Sequence, residues 1–172
     1  MQAVPPKPID PLLFRKVVGN FASGVSVVTT VADGEVHGMT VSAFISVSLT
    51  PPLVLVSVDN DAHIHKLLPQ VGRYAVSILA EDQKPVSQHF AGRPQEGFKI
   101  NFVWRDGLPL IENALAHLVC DISARHPAGD HTLYLGRVGY LDYQSNRAPL
   151  LFYGGQYRSL DSQIRDHEFW WW

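Results

Sequence analysis

The stretch His37-Gly38-Met39-Thr40-Val41-Ser42-Ala43-Phe44-Ile45-Ser46-Val47-Ser48 is the most informative part of this chain for its fold. Odd positions from Met39 to Val47 are apolar, and even positions carry hydroxyl groups, interrupted only by Phe44. Because side chains alternate between the two faces of a strand, the pattern predicts one long strand with a hydroxyl-bearing face and a core face. Pro51-Pro52 should end it, and Leu53 to Val58 should follow as a strand buried on both faces.

The segments around this stretch also favour strands. Val25 to Val31 alternates and reaches Asp33-Gly34, a typical hairpin turn. Further strands are expected over residues 73–79, about 115–124, about 132–143 and 149–153, with a turn over residues 127–131. This gives six or seven strands in total.

Helices are expected to be few and short. Asp10 can cap a helix over 11–21 that has Pro11 in its first position, and Asn60-Asp61 can cap a second helix over 62–69. A third is expected over 81–91. Residues 92–109 predict a long functional loop without regular structure. This count of strands and helices favours a mainly β fold over a parallel α/β sheet. The expected architecture is a closed or nearly closed antiparallel barrel with two or three short peripheral helices.

The length of 172 residues predicts one domain with arms. Residues 1–9, with three prolines, are expected to form an extended N-terminal arm, and residues 10–160 the barrel domain. Residues 161–172 form a C-terminal aromatic tail that ends in Phe169-Trp170-Trp171-Trp172. Because such a patch would be sticky in water, we expect it to pack on the barrel, a dimer mate or the rim of a pocket.

Composition excludes several classes of function. The net charge is -2 and there is no basic run, so nucleic acid is not expected as a partner. Cys120 is the only cysteine, which rules out an intramolecular disulfide and a multi-cysteine zinc site and fits a reducing cytoplasm. No apolar run approaches the length of a membrane helix, and no signal segment is evident, so no membrane association and a cytoplasmic location are expected.

Familiar catalytic motifs are absent from the sequence. There is no nucleophile elbow or P-loop, and Gly136-x-x-Gly139 is not a dinucleotide fingerprint. His63-x-His65 resembles a metal pair, but residues two apart on a helix point in different directions, so no metal is expected. The hydroxyl stripe is either a solvated strand face or a surface for a ligand rich in acceptors, and the small residues Gly38 and Ala43 favour the ligand slightly.

Five segments occur in the order and spacing of one known family: residues 24–29, 37–44, 46–53, 88–91 and 129–131. On these residues the chain, from about Leu12 to Arg158, resembles the short-chain NAD(P)H:flavin oxidoreductases, the reductase components of two-component flavin-dependent monooxygenases. The resemblance implies a six- to seven-stranded antiparallel split β-barrel of Greek-key type that binds FMN or FAD, usually as a homodimer. The strand count, reached independently, agrees with this.

The resemblance also implies a set of binding residues. It places Thr40, Ser42 and Ala43 along the flavin with Ser46 close by, Ser57 and Asp59 at the ribityl and phosphate end, Phe90 and Ala91 beside the flavin, Gly129, Asp130 and His131 at the nicotinamide, and Tyr157 and Arg158 on the nicotinamide or dimer side. By residue type alone, Phe90 is more often a core aromatic and His131 is better explained as a surface loop histidine, whereas Arg93 can either bind a phosphate or face water.

The function that the resemblance implies is hydride transfer from NAD(P)H to the flavin, after which the reduced flavin serves a partner monooxygenase. His131 is the candidate catalytic residue, as a positioning donor and not as a base. No arginine pair marks a 2′-phosphate, which favours NADH over NADPH, and nothing distinguishes FMN from FAD. Two alternatives stay open: a non-catalytic flavin-binding split-barrel module, and a barrel that serves only protein contact.

Overall fold

The computed structural model describes residues 8–160. In chain order its elements are α1 (Pro11–Val18), β1 (Ser23–Gly24), β2 (Ser26–Ala32), β3 (Glu35–Val41), β4 (Phe44–Leu49), β5 (Pro52–Asp59), α2 (His63–Val71), β6 (Arg73–Ile78), a 3-10 turn (Glu81–Gln83), α3 (Lys84–Phe90), β7 (Phe102–Arg105), β8 (Leu108–Ile111), β9 (Ala116–Ala128), β10 (His131–Tyr143), β11 (Leu151–Tyr153) and β12 (Gln156–Arg158).

Seven strands form one antiparallel sheet in the order β3-β2-β6-β9-β10-β5-β4. A small sheet of β1, β11 and β12 and the β7–β8 hairpin complete the structure. Within residues 8–160, three short helices lie outside the sheets. The predicted mainly β fold with short helices is therefore confirmed. The six or seven strands expected correspond to the seven of the large sheet, whereas the described residues form twelve strands in all.

The main core lies inside the curve of the large sheet. Val28 of β2, Val56 of β5, Tyr134 of β10 and Leu68 of α2 are all fully buried in one apolar cluster. Because both halves of the strand order supply residues to this cluster, the sheet must curl around it as a barrel does. The core thereby fixes the relative positions of β3, β4, β5 and β10, the strands that carry most of the candidate site.

A close approach inside the core depends on Gly136 of β10. A Cβ atom there would lie 2.7 Å from Cζ of Tyr74 and 2.9 Å from Cβ of Cys120, closer than real Cβ contacts. Burial, with the neighbouring Cys120, raises the pKa of Tyr74. Burial also raises the pKa of the Cys120 thiol to about 12. The single cysteine is therefore a neutral packing residue at physiological pH.

The prediction of one strand across residues 37–48 is wrong. β3 ends at Val41, which pairs with Ser26, and β4 begins at Phe44, which pairs with Val56. The chain thus leaves one edge of the large sheet and joins the opposite edge. Ser42 and Ala43, here called the β3–β4 connection, lie outside both ladders. Apolar alternation cannot reveal this break, because both residues fit its period.

The burial predicted for β4 and β5, the two strands that follow the connection, is also wrong. On β4, Ile45 and Val47 are 57% and 48% exposed, so the expected core face turns outward after the break. On β5, Val54 and Val56 are buried, whereas Leu55 between them is only half-buried. β5 therefore alternates, as expected for an antiparallel sheet with one covered face.

The expected loop over 92–109 contains regular structure. β7 and β8 form a hairpin that turns at Asp106 and Gly107, both with positive φ. Asp-Gly between strand-forming residues is the same hairpin signal that correctly predicted the turn at Asp33-Gly34, where φ is again positive at both residues.

Several element boundaries differ from the prediction. α1 is capped by the Asp10 side chain as expected, but it ends at Val18 with Gly19 as its C-cap and does not reach residue 21. The segment 81–91 divides into a 3-10 turn and α3. β9 continues to Ala128, so the turn before β10 is only Gly129 and Asp130. The expected strand 149–153 is β11, and β12 returns beside it.

The N-cap of α2 is Ala62, which makes no side-chain cap hydrogen bond, so the predicted capping by Asn60-Asp61 is wrong. Most of the expected arm 1–9 and all of the tail 161–172 lie outside the described residues. None of the helices between residues 8 and 160 is long and apolar enough to cross a membrane.

Candidate functional site

The β3–β4 connection places two small residues at the surface. Ser42 and Ala43 are both exposed. The carbonyl oxygen of Ala43 accepts a hydrogen bond from the amide of Ser57 at 3.1 Å, which holds the connection against β5. Small side chains outside a ladder allow a flat ring to approach the backbone closely. Ser46, on the edge strand β4, is also exposed and lies opposite Val54.

The end of β5 meets the start of β10 beside this connection. Asp59 pairs in register with His131, and the half-buried Ser57 pairs with Leu133 on the same ladder. The β3–β4 connection at Ala43, the end of β5 with Ser57 and Asp59, and the start of β10 with His131 therefore lie side by side. Strand pairing thus brings residues 43–59 next to the Gly129-Asp130 turn.

His131 is held by its neighbour in the turn. Its Nδ1 lies 2.8 Å from Oδ1 of Asp130, with the imidazole side chain 41% and the carboxylate side chain 94% exposed. The hydrogen bond from His131, followed by the charge of the same ring, lowers the pKa of Asp130. Because Asp130 accepts a hydrogen bond from Nδ1, Nε2 is the ring nitrogen through which His131 can meet a ligand.

A second group of predicted residues surrounds α3. Gly38 of β3 has no Cβ, and one would lie 2.6 Å from Cε1 of Phe90, so the Phe90 ring packs directly on the strand. The hydroxyl of Thr40 donates to the carbonyl oxygen of Ser87 at 2.7 Å. Ser87 in turn lies 2.9 Å from the hydroxyl of Tyr157. These contacts hold β3, α3 and β12 together. Because the Thr40 hydroxyl already donates to Ser87, it can only accept a hydrogen bond from a ligand.

An open recess lies at the end of α3. Its volume is about 270 Å³, and it is lined by Gln88, Ala91, Arg93, Phe152, Gly155 and Tyr157. Three predicted site residues, Ala91, Arg93 and Tyr157, thus share one cavity, and the exposed Arg93 offers a cation to a phosphate. Arg158 instead lines a different recess of about 600 Å³ together with Tyr157 and Lys84.

The predicted residues therefore form two groups that meet at the β3–β4 connection. Two residues that sequence reasoning missed hold these groups in place. Ser87 is fully buried between Thr40 and Tyr157, and nothing in its helical context marks it. Asn60 contacts the Gly129-Asp130 turn, and its position directly after Asp59 was the available signal.

The two histidines of the apparent metal pair have different neighbours. The ring of His63 lies 5.1 Å from that of His37, centroid to centroid. His65 instead lies 2.9 Å, through Nδ1, from the hydroxyl of Tyr134 on β10. The expectation that these side chains point in different directions is confirmed.

The chemistry of these residues fits a flavin. The β3–β4 connection exposes backbone and small side chains to a flat ring, and Ser42, Ser46 and Ser57 carry hydroxyls for a ribityl chain. Arg93 in the recess beside α3 provides positive charge for a phosphate. The fold, together with exposed groups of these kinds, is typical of a flavin-binding split barrel.

Comparison with known proteins agrees with this class. Residues 18–161 match the family described as "Flavin reductase like domain". An NADH-dependent flavin reductase from a Rhodococcus species is 53% identical over 161 residues, covering 92% of this chain and 91% of the relative. The reductase component of 4-hydroxyphenylacetate 3-monooxygenase from Thermus thermophilus is 40% identical over 147 residues, which are 86% of this chain and 95% of the relative.

A solved structure is similar as well. The NADH:FAD oxidoreductase SgcE6 of Streptomyces globisporus C-1027, in complex with NAD and FAD fragments, has a TM-score of 0.84 and 38% identity, covering 92% of this chain and 99% of that one. This chain therefore belongs to the flavin reductase-like domain family. The predicted enzyme class, an NAD(P)H-dependent flavin reductase, is confirmed.

Proposed function

We propose that this flavin reductase uses NADH as the hydride donor and FAD as the acceptor, and that a separate monooxygenase receives the reduced flavin. The names of the Rhodococcus and Streptomyces relatives support NADH, and the Streptomyces relative supports FAD. The Thermus relative, a reductase component, supports a monooxygenase partner. The observation that carries the site assignment is the exposed β3–β4 connection beside the Asp59–His131 pair.

A bound flavin supplies the ring that accepts the hydride, and the protein supplies orientation and exclusion of water. Ser42 and Ala43 present their backbone groups to the ring edge, where hydrogen-bond donors stabilise developing negative charge. Ser46, Ser57 and Asp59 bind the ribityl side, and Arg93 binds a phosphate. Thr40 and Phe90 fix α3 against β3 beside the ring, with Ala91 at the helix end.

The turn before β10 positions the nicotinamide. Asp130 holds the imidazole of His131 through Nδ1, and Nε2 then contacts the carboxamide of the nicotinamide. Gly129 allows the tight turn with a φ of 67°. Hydride transfer removes no proton from a substrate carbon, so His131 acts as a positioning group and not as a base. Tyr157 and Arg158 line the recesses beside α3 and belong to the nicotinamide or dimer side there.

NADH oxidation with FMN and FAD titrated in separate series tests this function. We expect saturation at lower FAD than FMN concentrations, and faster turnover with NADH than with NADPH. Equal behaviour of both flavins, or a preference for NADPH, contradicts the corresponding part of the proposal. A yellow protein that NADH does not bleach under anaerobic conditions would instead be the non-catalytic flavin-binding module.

A large side chain placed at the β3–β4 connection tests whether the flavin binds there. Ser42→Tyr should weaken flavin binding at least tenfold in a fluorescence titration, because a large side chain blocks the close approach. Ser145→Tyr is the matched control, since Ser145 is also exposed but lies after the far end of β10. Equal flavin affinity in both variants would remove the β3–β4 connection from the site.

We further propose that the protein is a homodimer. Helix α1 buries none of its residues, and Leu12, Phe14 and Val17 are 65%, 55% and 61% exposed. Ile45 and Leu49 on the edge strand β4 are 57% and 74% exposed. Apolar surface of this extent is typical of surfaces covered by another subunit. Light scattering should give twice the chain mass, and Leu12→Glu with Val17→Glu should lower it; a monomeric parent protein contradicts the proposal.

We propose a cytoplasmic location because the Cys120 thiol is neutral and buried and because the proposed reaction requires NADH. Cell fractionation with an antibody to the chain tests it, and recovery outside the cytoplasmic fraction contradicts it.

A further inference from the structure

Asn60 makes three hydrogen bonds to the segment that carries His131. Its backbone amide donates to the carbonyl oxygen of Asp130 at 3.0 Å. Its side-chain Nδ2 donates to the carbonyl oxygen of Gly129 at 3.4 Å. Its Oδ1 accepts from the hydroxyl of Thr132 at 2.8 Å. One residue thus contacts both turn residues and the residue that follows His131.

These bonds act on a turn that would otherwise be poorly constrained. Gly129 has a positive φ, and Asp130 is almost fully exposed, so neither holds the turn by packing. Thr132 is buried at 7% exposure, so its hydroxyl needs an internal acceptor, and Asn60 provides it. The asparagine therefore connects the exposed side of the hairpin to the buried side.

The local sequence had suggested a different role for Asn60, as the cap of α2. That role is absent, since Ala62 is the N-cap and the side chain of Asn60 points to β10. The residue directly before it, Asp59, pairs with His131 across the ladder. Asn60 is thus placed to control where the imidazole stands relative to the end of β5.

We propose that Asn60 is a positioning residue for His131, acting through Gly129, Asp130 and Thr132. The inference rests on the proposed role of His131 at the nicotinamide. Asn60 sets the position and direction of the imidazole over the site and makes no hydrogen bond to Ser42 or Ala43. Its removal weakens productive binding of NADH and leaves flavin affinity unchanged.

The experiment compares Asn60→Ala and Thr132→Val with the conservative Thr132→Ser, all in the full chain. Asn60→Ala should raise the KM for NADH about tenfold, and Thr132→Val should raise it about threefold, as expected for lost hydrogen bonds at a binding group. Thr132→Ser keeps the hydroxyl and should restore the parental value. Asn146→Ala, at an exposed turn after β10, is the control. FAD affinity is measured for every variant.

A double-mutant cycle with His131→Ala separates positioning from general loosening. If Asn60 acts through His131, Asn60→Ala has no further effect on NADH kinetics once His131 is absent. Effects that multiply in the double variant overturn the inference, as does a loss of FAD affinity equal to the rise in KM. Should Asn60→Ala fail to fold, the Thr132→Val and Thr132→Ser pair in the same cycle decides the question.

The proposed roles of Asn60 and of His131 can be refuted separately. If His131→Ala slows the reaction with NADH but Asn60→Ala and Thr132→Val do not, the positioning role of Asn60 is wrong and the site assignment stands. If His131→Ala itself leaves NADH kinetics unchanged, the proposed role of His131 fails, and the inference about Asn60 fails with it.

Discussion

Two histidine–aspartate pairs lie at opposite ends of the β9–β10 ladder and differ mainly in burial. Nδ1 of His117 is 2.9 Å from Oδ1 of Asp142, and Nδ1 of His131 is 2.8 Å from Oδ1 of Asp130. The His117 side chain is 7% exposed, whereas that of His131 is 41% exposed. The contact geometry is nearly the same, so the surroundings decide what each pair does.

Both ring nitrogens of His117 are engaged inside the protein. Nε2 lies 2.8 Å from the carbonyl oxygen of Ile111 on β8, while Nδ1 faces Asp142 on β10. Asp142 also accepts from the Tyr140 hydroxyl at 2.6 Å, and Tyr140 accepts from Nε of Arg105 on β7 at 3.2 Å. This network fastens the β7–β8 hairpin to the main sheet. Exposure of His131 instead gives it an accessible nitrogen, so the first pair is structural and the second belongs to the proposed site.

The largest expected effect is on stability. His117→Ala should lower the free energy of unfolding by about 2–3 kcal/mol, because it removes both hydrogen bonds of a buried side chain and leaves a cavity in its place. His131→Ala should change it by no more than about 0.5 kcal/mol, as is usual at an exposed position. Urea unfolding of both variants measures this difference. Equal losses would show that burial does not separate the two pairs.

The next effect is on turnover. His131→Ala should lower kcat/KM for NADH about tenfold, the effect of losing one charge-assisted or well-placed hydrogen bond. FAD affinity should be unchanged. His126→Ala, an exposed histidine on β9 opposite Leu133, is the matched control and should keep the parental kinetics. Parental kinetics in the His131 variant would remove this residue from the site.

A smaller effect concerns pH. Partial burial opposes ionisation of Asp142, but hydrogen bonds from Tyr140 and His117 and the charges of His117 and Arg105 outweigh it and lower the pKa of Asp142. The lowered pKa means that the ionised carboxylate stabilises the fold at neutral pH. This contribution is lost as pH falls below the ordinary carboxyl range and through the folded value.

The variant Asp142→Asn lacks this contribution at every pH. Its deficit in unfolding free energy should therefore be greatest near pH 7 and should shrink as the pH is lowered below about 4. Urea unfolding at several pH values measures the deficit. A deficit that stays constant or grows in acid contradicts the assignment.

The smallest effect is expected at Asp130. Because its carboxylate is almost fully exposed, its interaction with His131 is screened by water and salt. Asp130→Asn should raise the KM for NADH by about twofold at low salt and by less at high salt. Steady-state kinetics at two ionic strengths measures this. A loss as large as that of His131→Ala would show that the contact with Asp130, and not the hydrogen bonds of Asn60, positions the ring.

Much of the fold could be predicted from alternation and turn signals, because both report the local backbone. Asp33-Gly34 and the long strands β9 and β10 are examples. The break at Ser42 and Ala43 could not be predicted, since it depends on Val41 pairing with Ser26 and Phe44 with Val56. The same limit applies to α1. Its periodicity predicts a helix with an apolar face, but it cannot show that this face stays exposed in the single folded chain.

The candidate site shows a similar division. Motif resemblance supplied residues such as Ala43 and His131, but their arrangement follows from strand pairing that no local pattern reveals. Asn60 and Thr132 are 72 residues apart in sequence, and their hydrogen bond exists only in the folded barrel. Local reasoning therefore assigned Asn60 to the nearest helix, which was wrong.

Anaerobic mixing of NADH with the FAD-loaded protein, followed by the visible absorbance of the flavin, tests the account most directly. The parent protein and the His126→Ala variant should lose this absorbance rapidly and at the same rate, and His131→Ala should lose it about tenfold more slowly at limiting NADH. Failure of the parent protein to bleach would contradict the reductase function. Identical rates in all three proteins would contradict the location of the nicotinamide site.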